Sequence, residues 1–150
     1  MQTVTLDDLQ HERFTAALAQ CALFRALKPE HMPQIMKLAE AQRFDAGESI
    51  VQQGAPSDSF FVVTEGTAAV RIKSAVGEDI DVGRVPLPSS VGEVGLLLGV
   101  PRTASVVAVD DVIALRFSDK AFTAMFQNVP EFGWGISAGL AHRLQQVSGK

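Results

Sequence analysis

The chain is poor in the residues on which covalent, metal and nucleic-acid chemistry relies. Its 150 residues include one cysteine, three histidines and no tyrosine. A lone Cys21 closes no internal disulfide and lacks the partners of a nucleophile or a cluster site. His11, His31 and His142 all fall in helix-like segments, apart from the β-like ones, so no set of His and carboxylates converges as a barrel metal enzyme requires. No metal site, no resident cofactor and no catalytic residues are therefore expected. No glycine-rich loop carries the lysine of an NTPase. With 13 basic against 17 acidic residues and a net charge of −4, there is no excess of Lys and Arg to form a polyanion-binding face, which argues against direct nucleic-acid binding. No apolar run approaches the roughly 20 residues of a spanning helix, and the N-terminus lacks the basic start and apolar core of a signal peptide. These absences lead to the expectation of a cytoplasmic, reducing setting without membrane insertion. What is present is apolar bulk: 47% of the residues are hydrophobic, enough at this length for one packed domain.

Taken in order, Thr5-Leu6-Asp7-Asp8 has the form of an N-cap followed by first-turn acids, and Phe14, Leu18 and Cys21 recur at helical spacing, predicting a first helix from Leu6 to about Gln20. After the apolar joint Leu23-Phe24-Arg25-Ala26-Leu27, Pro29 suits the first turn of a second helix carrying Met32, Ile35, Met36 and Leu38, read as packing residues. From Ala41 the pattern changes to short β-like segments punctuated by glycine. Two lie between Arg43 and Gly54; others run over Phe60 to Thr64, Ala68 to Lys73, Glu78 to Val85, Val106 to Val109 and Val112 to Phe117. Seven or eight such strands indicate a closed or double-sheet β-roll, with most glycines at tight turns. Ser118 then reads as the N-cap of a helix with Ala121, Phe122, Met125 and Phe126 on its apolar face, ending at Val129-Pro130. Phe132, Ile136, Leu140 and Leu144 recur every four residues and predict a terminal amphipathic helix, weakened by Gly133, Gly135 and Gly139.

One stretch holds unlike residues together. Gly92 to Val106 packs a carboxylate, an arginine and three glycines into an otherwise apolar run. Glu93 to Leu98 reads as a single short helical turn opened by a glycine, which aims free N–H groups and a positive dipole end at whatever precedes it. Arg102 returns to the same place, and its planar fork can hold two oxygens of one phosphate. An ionised Glu93 accepts a hydroxyl proton nearby. A small ligand that sets one phosphate beside one ribose hydroxyl is a nucleotide, and an acidic protein can hold it with a single buried Arg.

The run Gly92-Glu93-Val94-Gly95-Leu96-Leu97, a four-residue gap, then Arg102-Thr103-Ala104-Ser105-Val106 resembles the phosphate-binding cassette of cyclic nucleotide-binding domains. These domains occur in bacterial cAMP receptor proteins, cyclic-nucleotide-dependent kinases and cyclic-nucleotide-gated channels. Phe44-x-x-Gly47-Glu48-x-Ile50-x-x-x-Gly54 and Phe61-Val62-Val63-x-x-Gly66-x-Ala68-x-Val70 resemble the first turns of the same β-roll, so the resemblance spans about Cys21 to Leu144. One departure lies at Pro88-Ser89, where the family usually has Gly-Asp, so the loop Pro86 to Ser90 is expected to differ in shape.

The resemblance implies a mainly β fold with flanking helices: one domain over residues 1–150, with N-terminal helices (1–40), a jelly-roll-like β-roll (41–117) holding the cassette (92–106), and C-terminal hinge and lid helices (118–150). It implies Arg102, Thr103 and Ala104 at the phosphate, Gly92, Glu93 and Val94 at the ribose, and Val85, Val91, Leu140, Arg143 and Leu144 around the base. The implied ligand is cAMP first, with cGMP admissible because a hydroxyl at Thr103 can hold a guanine. The implied function is that of a sensor whose final helix moves over the base and signals to an attached effector, a second copy or a protein partner. The reading from a different class is an interaction or dimerisation module with a degenerate pocket, against which intact Glu93 and Arg102 count.

Overall fold

The computed structural model describes residues 1–21, 24 and 27–129. The chain opens with a two-residue strand that the sequence reading did not anticipate: β1 (Gln2–Thr3) pairs antiparallel with Arg43 and Gln42 of β2 (Glu40–Phe44). Helix α1 (Asp8–Gln20) begins two residues later than expected, because its N-cap is Asp7 rather than Thr5. Asp7 Oδ1 accepts from the Gln10 amide at 2.7 Å while the Gln10 side chain accepts from the Asp7 amide at 3.1 Å. This reciprocal box needs a Gln or Glu three residues past the cap, and counting from Thr5 that place is held by Asp8. The expected second helix is divided into a 3-10 turn (Pro29–His31) and α2 (Met32–Leu38). Pro33, which has no N–H to donate, sits in the opening turn of α2, where none is needed. Of the preceding joint, Leu23, Arg25 and Ala26 lie outside the described residues.

The remaining strands are β3 (Ser49–Val51), β4 (Ser59–Glu65), β5 (Ala68–Lys73), β6 (Asp79–Arg84), β7 (Ser89–Val91), β8 (Ser105–Ala108) and β9 (Val112–Ser118). They form two antiparallel sheets, ordered β1-β2-β9-β4-β7 and β3-β8-β5-β6. The turn from β4 to β5 requires glycine: Gly66 has φ +93°, and a Cβ there would run into the Asp111 carbonyl. Helix α3 (Glu93–Leu98) interrupts the strands between β7 and β8. Helix α4 (Asp119–Asn128) follows, capped as expected by Ser118, whose hydroxyl accepts from the Ala121 amide at 3.1 Å.

Strand β4 explains how the two halves hold together. Its residues Ser59 to Val63 are all buried, the continuous apolar pattern of a strand covered on both faces. Phe60 and Val62 pack with Phe14, Leu18, Phe24, Ile35, Leu115, Phe117 and Phe122 on the helix side. Phe61 and Val63 pack with Phe44, Val91, Val106, Val112 and Ala114 between the sheets. On the helix side Phe60 stacks on Phe117 with centroids 4.9 Å apart and takes Phe122 edge-on at 5.8 Å. Ala121, Phe122 and Met125 bury the inner face of α4 as read from sequence, whereas Phe126 is 44% exposed and touches Phe122 from outside. The expected terminal helix from Phe132 to Val147 lies outside the described residues. Truncating Phe60 to Ala removes a ring shared by α1, β9 and α4, and is expected to cost about 3–5 kcal/mol of unfolding free energy. Urea denaturation followed by circular dichroism checks it; a loss below about 1 kcal/mol would show that the helices do not depend on this ring.

Candidate functional site

The segment between β7 and β8 is folded around one guanidinium. Pro86 to Ser90 was expected to be a loop, but Ser89 and Ser90 are the first residues of β7, paired with Val63 and Val62. The strand ends at Gly92, whose φ of +89° turns the chain into α3, and Gly99, at φ +67°, ends that helix. The return is stapled to the segment before β4. The Ser57 hydroxyl donates to the Val100 carbonyl at 2.7 Å, the Arg102 amide donates to Ala55 at 2.9 Å, and the Gly54 amide donates to Arg102 at 2.8 Å.

Arg102 is only 7% exposed. Its Nη1 donates to the Gly92 carbonyl at 3.0 Å, and Nη2 donates to the Ser59 carbonyl at 2.7 Å, with the Ser59 hydroxyl at 3.4 Å. Asp58 Oδ1 stands 3.8 Å from Nη2. Burial draws the guanidinium below its usual pKa, and the charges of Asp58 and Glu93 oppose that shift while Arg116 adds to it. The group stays cationic, since no ordinary environment deprotonates arginine. A Cβ on Gly92 would collide with Nη1, so glycine here serves both the left-handed turn and the approach of the arginine.

Beside this arginine is a cavity of about 300 Å³. Val51, Val70, Val85, Val91 and Val106 give it an apolar wall, and Gly92, Val94, Arg102, Thr103 and Ala104 close the end where the cassette lies. Apart from Glu93 and the terminal-helix residues, the site residues read from sequence therefore meet at one place. Glu93 is buried, at 7% exposure, and does not line the cavity; it acts on Arg102 through its charge. Leu140, Arg143 and Leu144 lie outside the described residues. Sequence reasoning missed Asp58 and Ser59, which carry no motif and join the site at the start of β4. It also missed Val51, Val70 and Val106, whose strands were recognised without the pairing that brings their inner faces together.

An apolar cavity with one buried cation and a glycine-opened helix at its end suits a small ligand with a single phosphate. Residues 41–129, more than half of the chain, match the cyclic nucleotide-binding domain family. The chain belongs to that family.

The cAMP-dependent protein kinase regulatory subunit of Mycosarcoma maydis is 31% identical over 130 residues, which are 83% of this chain and 24% of that protein. This cyclic nucleotide-binding domain thus spans about a quarter of that relative. Among solved structures, the catabolite activator protein of Thermus thermophilus superposes with a TM-score of 0.79 at 24% identity, over 85% of this chain and 60% of that one. The regulatory domain of Toxoplasma gondii PKA, crystallised with cAMP, gives 0.73 at 22% identity over 80% and 46%. Both share the β-roll with its flanking helices. Among the described residues no helix is long and apolar enough to cross a membrane.

Gly92 and Gly99 separate two effects of glycine in this cyclic nucleotide-binding fold. Both have positive φ, but a Cβ on Gly99 meets nothing within 4 Å. Gly99→Ala is expected to cost about 1–2 kcal/mol of backbone strain, and Gly92→Ala to cost clearly more because Arg102 must also move. Equal losses in urea denaturation would show that the guanidinium does not depend on its approach to Gly92.

Proposed function

We propose that this domain binds a cyclic nucleotide, cAMP in preference to cGMP, in the cavity beside Arg102 and transmits occupancy to its C-terminal helices. The observation that carries the reading is the buried guanidinium at the end of an apolar cavity, on a cassette whose residues match the family. The phosphate is assigned to the remaining N–H groups of Arg102 and the backbone of Thr103 and Ala104, the ribose to the Gly92–Val94 turn with Glu93 behind it, and the base to the wall of Val85 and Val91. Thr103 is exposed at the cavity rim, where its hydroxyl can meet a base substituent, which keeps cGMP admissible. The preference for cAMP is supported by two of the named relatives, a cAMP-dependent kinase regulatory subunit and a regulatory domain crystallised with cAMP.

A route for the signal is built into the backbone. Arg102 bonds the Ser59 carbonyl, Ser59 pairs with Ser118, and the Asp119 amide at the start of α4 donates to the Asp58 carbonyl at 3.0 Å. A phosphate that draws the guanidinium toward the cavity therefore pulls on the first turn of α4. The shift it produces is bounded by the difference in ligand affinity between the two positions. The recipient is assigned to a protein effector or a second copy, engaged through the segment after α4.

Calorimetric titration with cAMP, and in parallel cGMP, is expected to show saturable binding at one site per chain, micromolar or tighter, with cAMP favoured. Arg102→Ala is expected to weaken cAMP by about 2–5 kcal/mol, roughly a hundredfold or more. Unchanged affinity in a variant that still unfolds cooperatively would put the site elsewhere. No binding to the nucleotide-free unsubstituted chain would favour an interaction module.

A further inference from the structure

We infer that Ser89 reads the base of the bound nucleotide, as a specificity-determining residue at the end of the cavity away from the phosphate. The inference rests on the cyclic-nucleotide reading above and deepens it.

The register of β7 decides which way this residue faces. Val91 pairs with Phe61 and Ser89 with Val63, and Phe61, Val63 and Val91 all belong to the core between the sheets. Side chains on a strand alternate, so Ser89 shares the inward face with Val91, while Ser90 between them shares the helix side with Val62. Ser89 lines the cavity and is half-buried. Most of the other polar side chains along that wall are already committed. Arg102 is bound to Ser59 and Gly92, and Arg84 is paired with Asp81 at 2.9 Å. The Ser89 hydroxyl makes no hydrogen bond among the described residues, and Ser89 lines the same cavity as Val85 and Val91, which offer an apolar surface suited to the face of a purine.

Distance assigns it to the base. Ser89 lies three residue steps along the chain from Gly92, about 10 Å at roughly 3.3 Å per step of extended strand. A nucleotide with its phosphate at Arg102 and its ribose at the Gly92 turn therefore presents its ring system, and not its sugar or phosphate, at Ser89. A hydroxyl both donates and accepts. It can meet an exocyclic amino group or a ring carbonyl, and it discriminates by what is lost when that substituent is missing.

The test compares the unsubstituted chain with Ser89→Ala by calorimetry, using cAMP, cGMP and the 3′,5′-cyclic phosphate of unsubstituted purine riboside. The last keeps phosphate, sugar and ring face but offers no exocyclic group. Loss of the hydroxyl is expected to weaken the preferred natural nucleotide about three- to tenfold and to leave the purine analogue unchanged. Equal losses on all three ligands, or no loss on any, would overturn the assignment to Ser89 while leaving the nucleotide site standing. If the unsubstituted chain binds none of the three, the cyclic-nucleotide reading itself falls and this inference falls with it.

Discussion

A positive charge kept out of water organises the site. Stripping a guanidinium of solvent is costly unless its N–H groups find acceptors and its charge finds partners. Arg102 meets that demand with the Gly92 and Ser59 carbonyls, and with the carboxylate charges of Asp58 and Glu93. Each partner constrains something larger. The Gly92 carbonyl is within reach only because residue 92 has no side chain and turns with positive φ, which sets where α3 begins. The Ser59 carbonyl belongs to the first residue of β4, the strand on which both halves of the core are built.

The rest of the fold makes that arrangement rigid on one side and adjustable on the other. Beneath the cassette, the apolar layer between the sheets includes the phenylalanines at 44 and 61 packed edge-on, with centroids 5.9 Å apart. Outside it, the aromatic cluster of Phe24, Phe60, Phe117 and Phe122 holds α4 against β4. The cassette itself is fastened by single hydrogen bonds from the segment at residues 54–57 rather than by a full ladder of strand pairs. A cavity whose wall is packed strand and whose end is a short helix on hydrogen-bonded staples can change shape at that end while the wall stays fixed.

Much of this was legible in the sequence, for identifiable reasons. Strand β4 announces itself by the unbroken aromatic and β-branched run Phe60 to Thr64, β5 and β9 by short, mainly apolar stretches between turn residues, and the cassette by the spacing of Gly92, Glu93 and Arg102. The family match over residues 41–129 agrees with that reading. The start of α1 was misplaced because Thr5 and Asp7 are both acceptable caps, and the choice turned on a return bond from Gln10. β1 went unseen because two residues carry no periodicity and gain their structure only from the edge of β2. The start of β7 was hidden by its two serines and the prolines at 86 and 88 before it, which read as loop until pairing with Val62 and Val63 claims the serines. Asp58 and Ser59 show the general limit: a carbonyl or a carboxylate that serves a distant arginine leaves no mark on local sequence, since only the packing of the fold brings it there.

The central claim is that ligand is held at the Arg102 end of the cavity. The most direct measurement is a titration of the isotopically labelled protein with cAMP, followed by backbone amide and arginine side-chain NMR. The account expects the largest saturable shifts at the amides of Gly92, Thr103 and Ala104 and at the Arg102 Nε–H, with smaller ones at Ser59 and the first turn of α4. Saturable shifts confined to residues away from the cassette and the cavity wall, or no shifts from a folded and nucleotide-free protein, would contradict it.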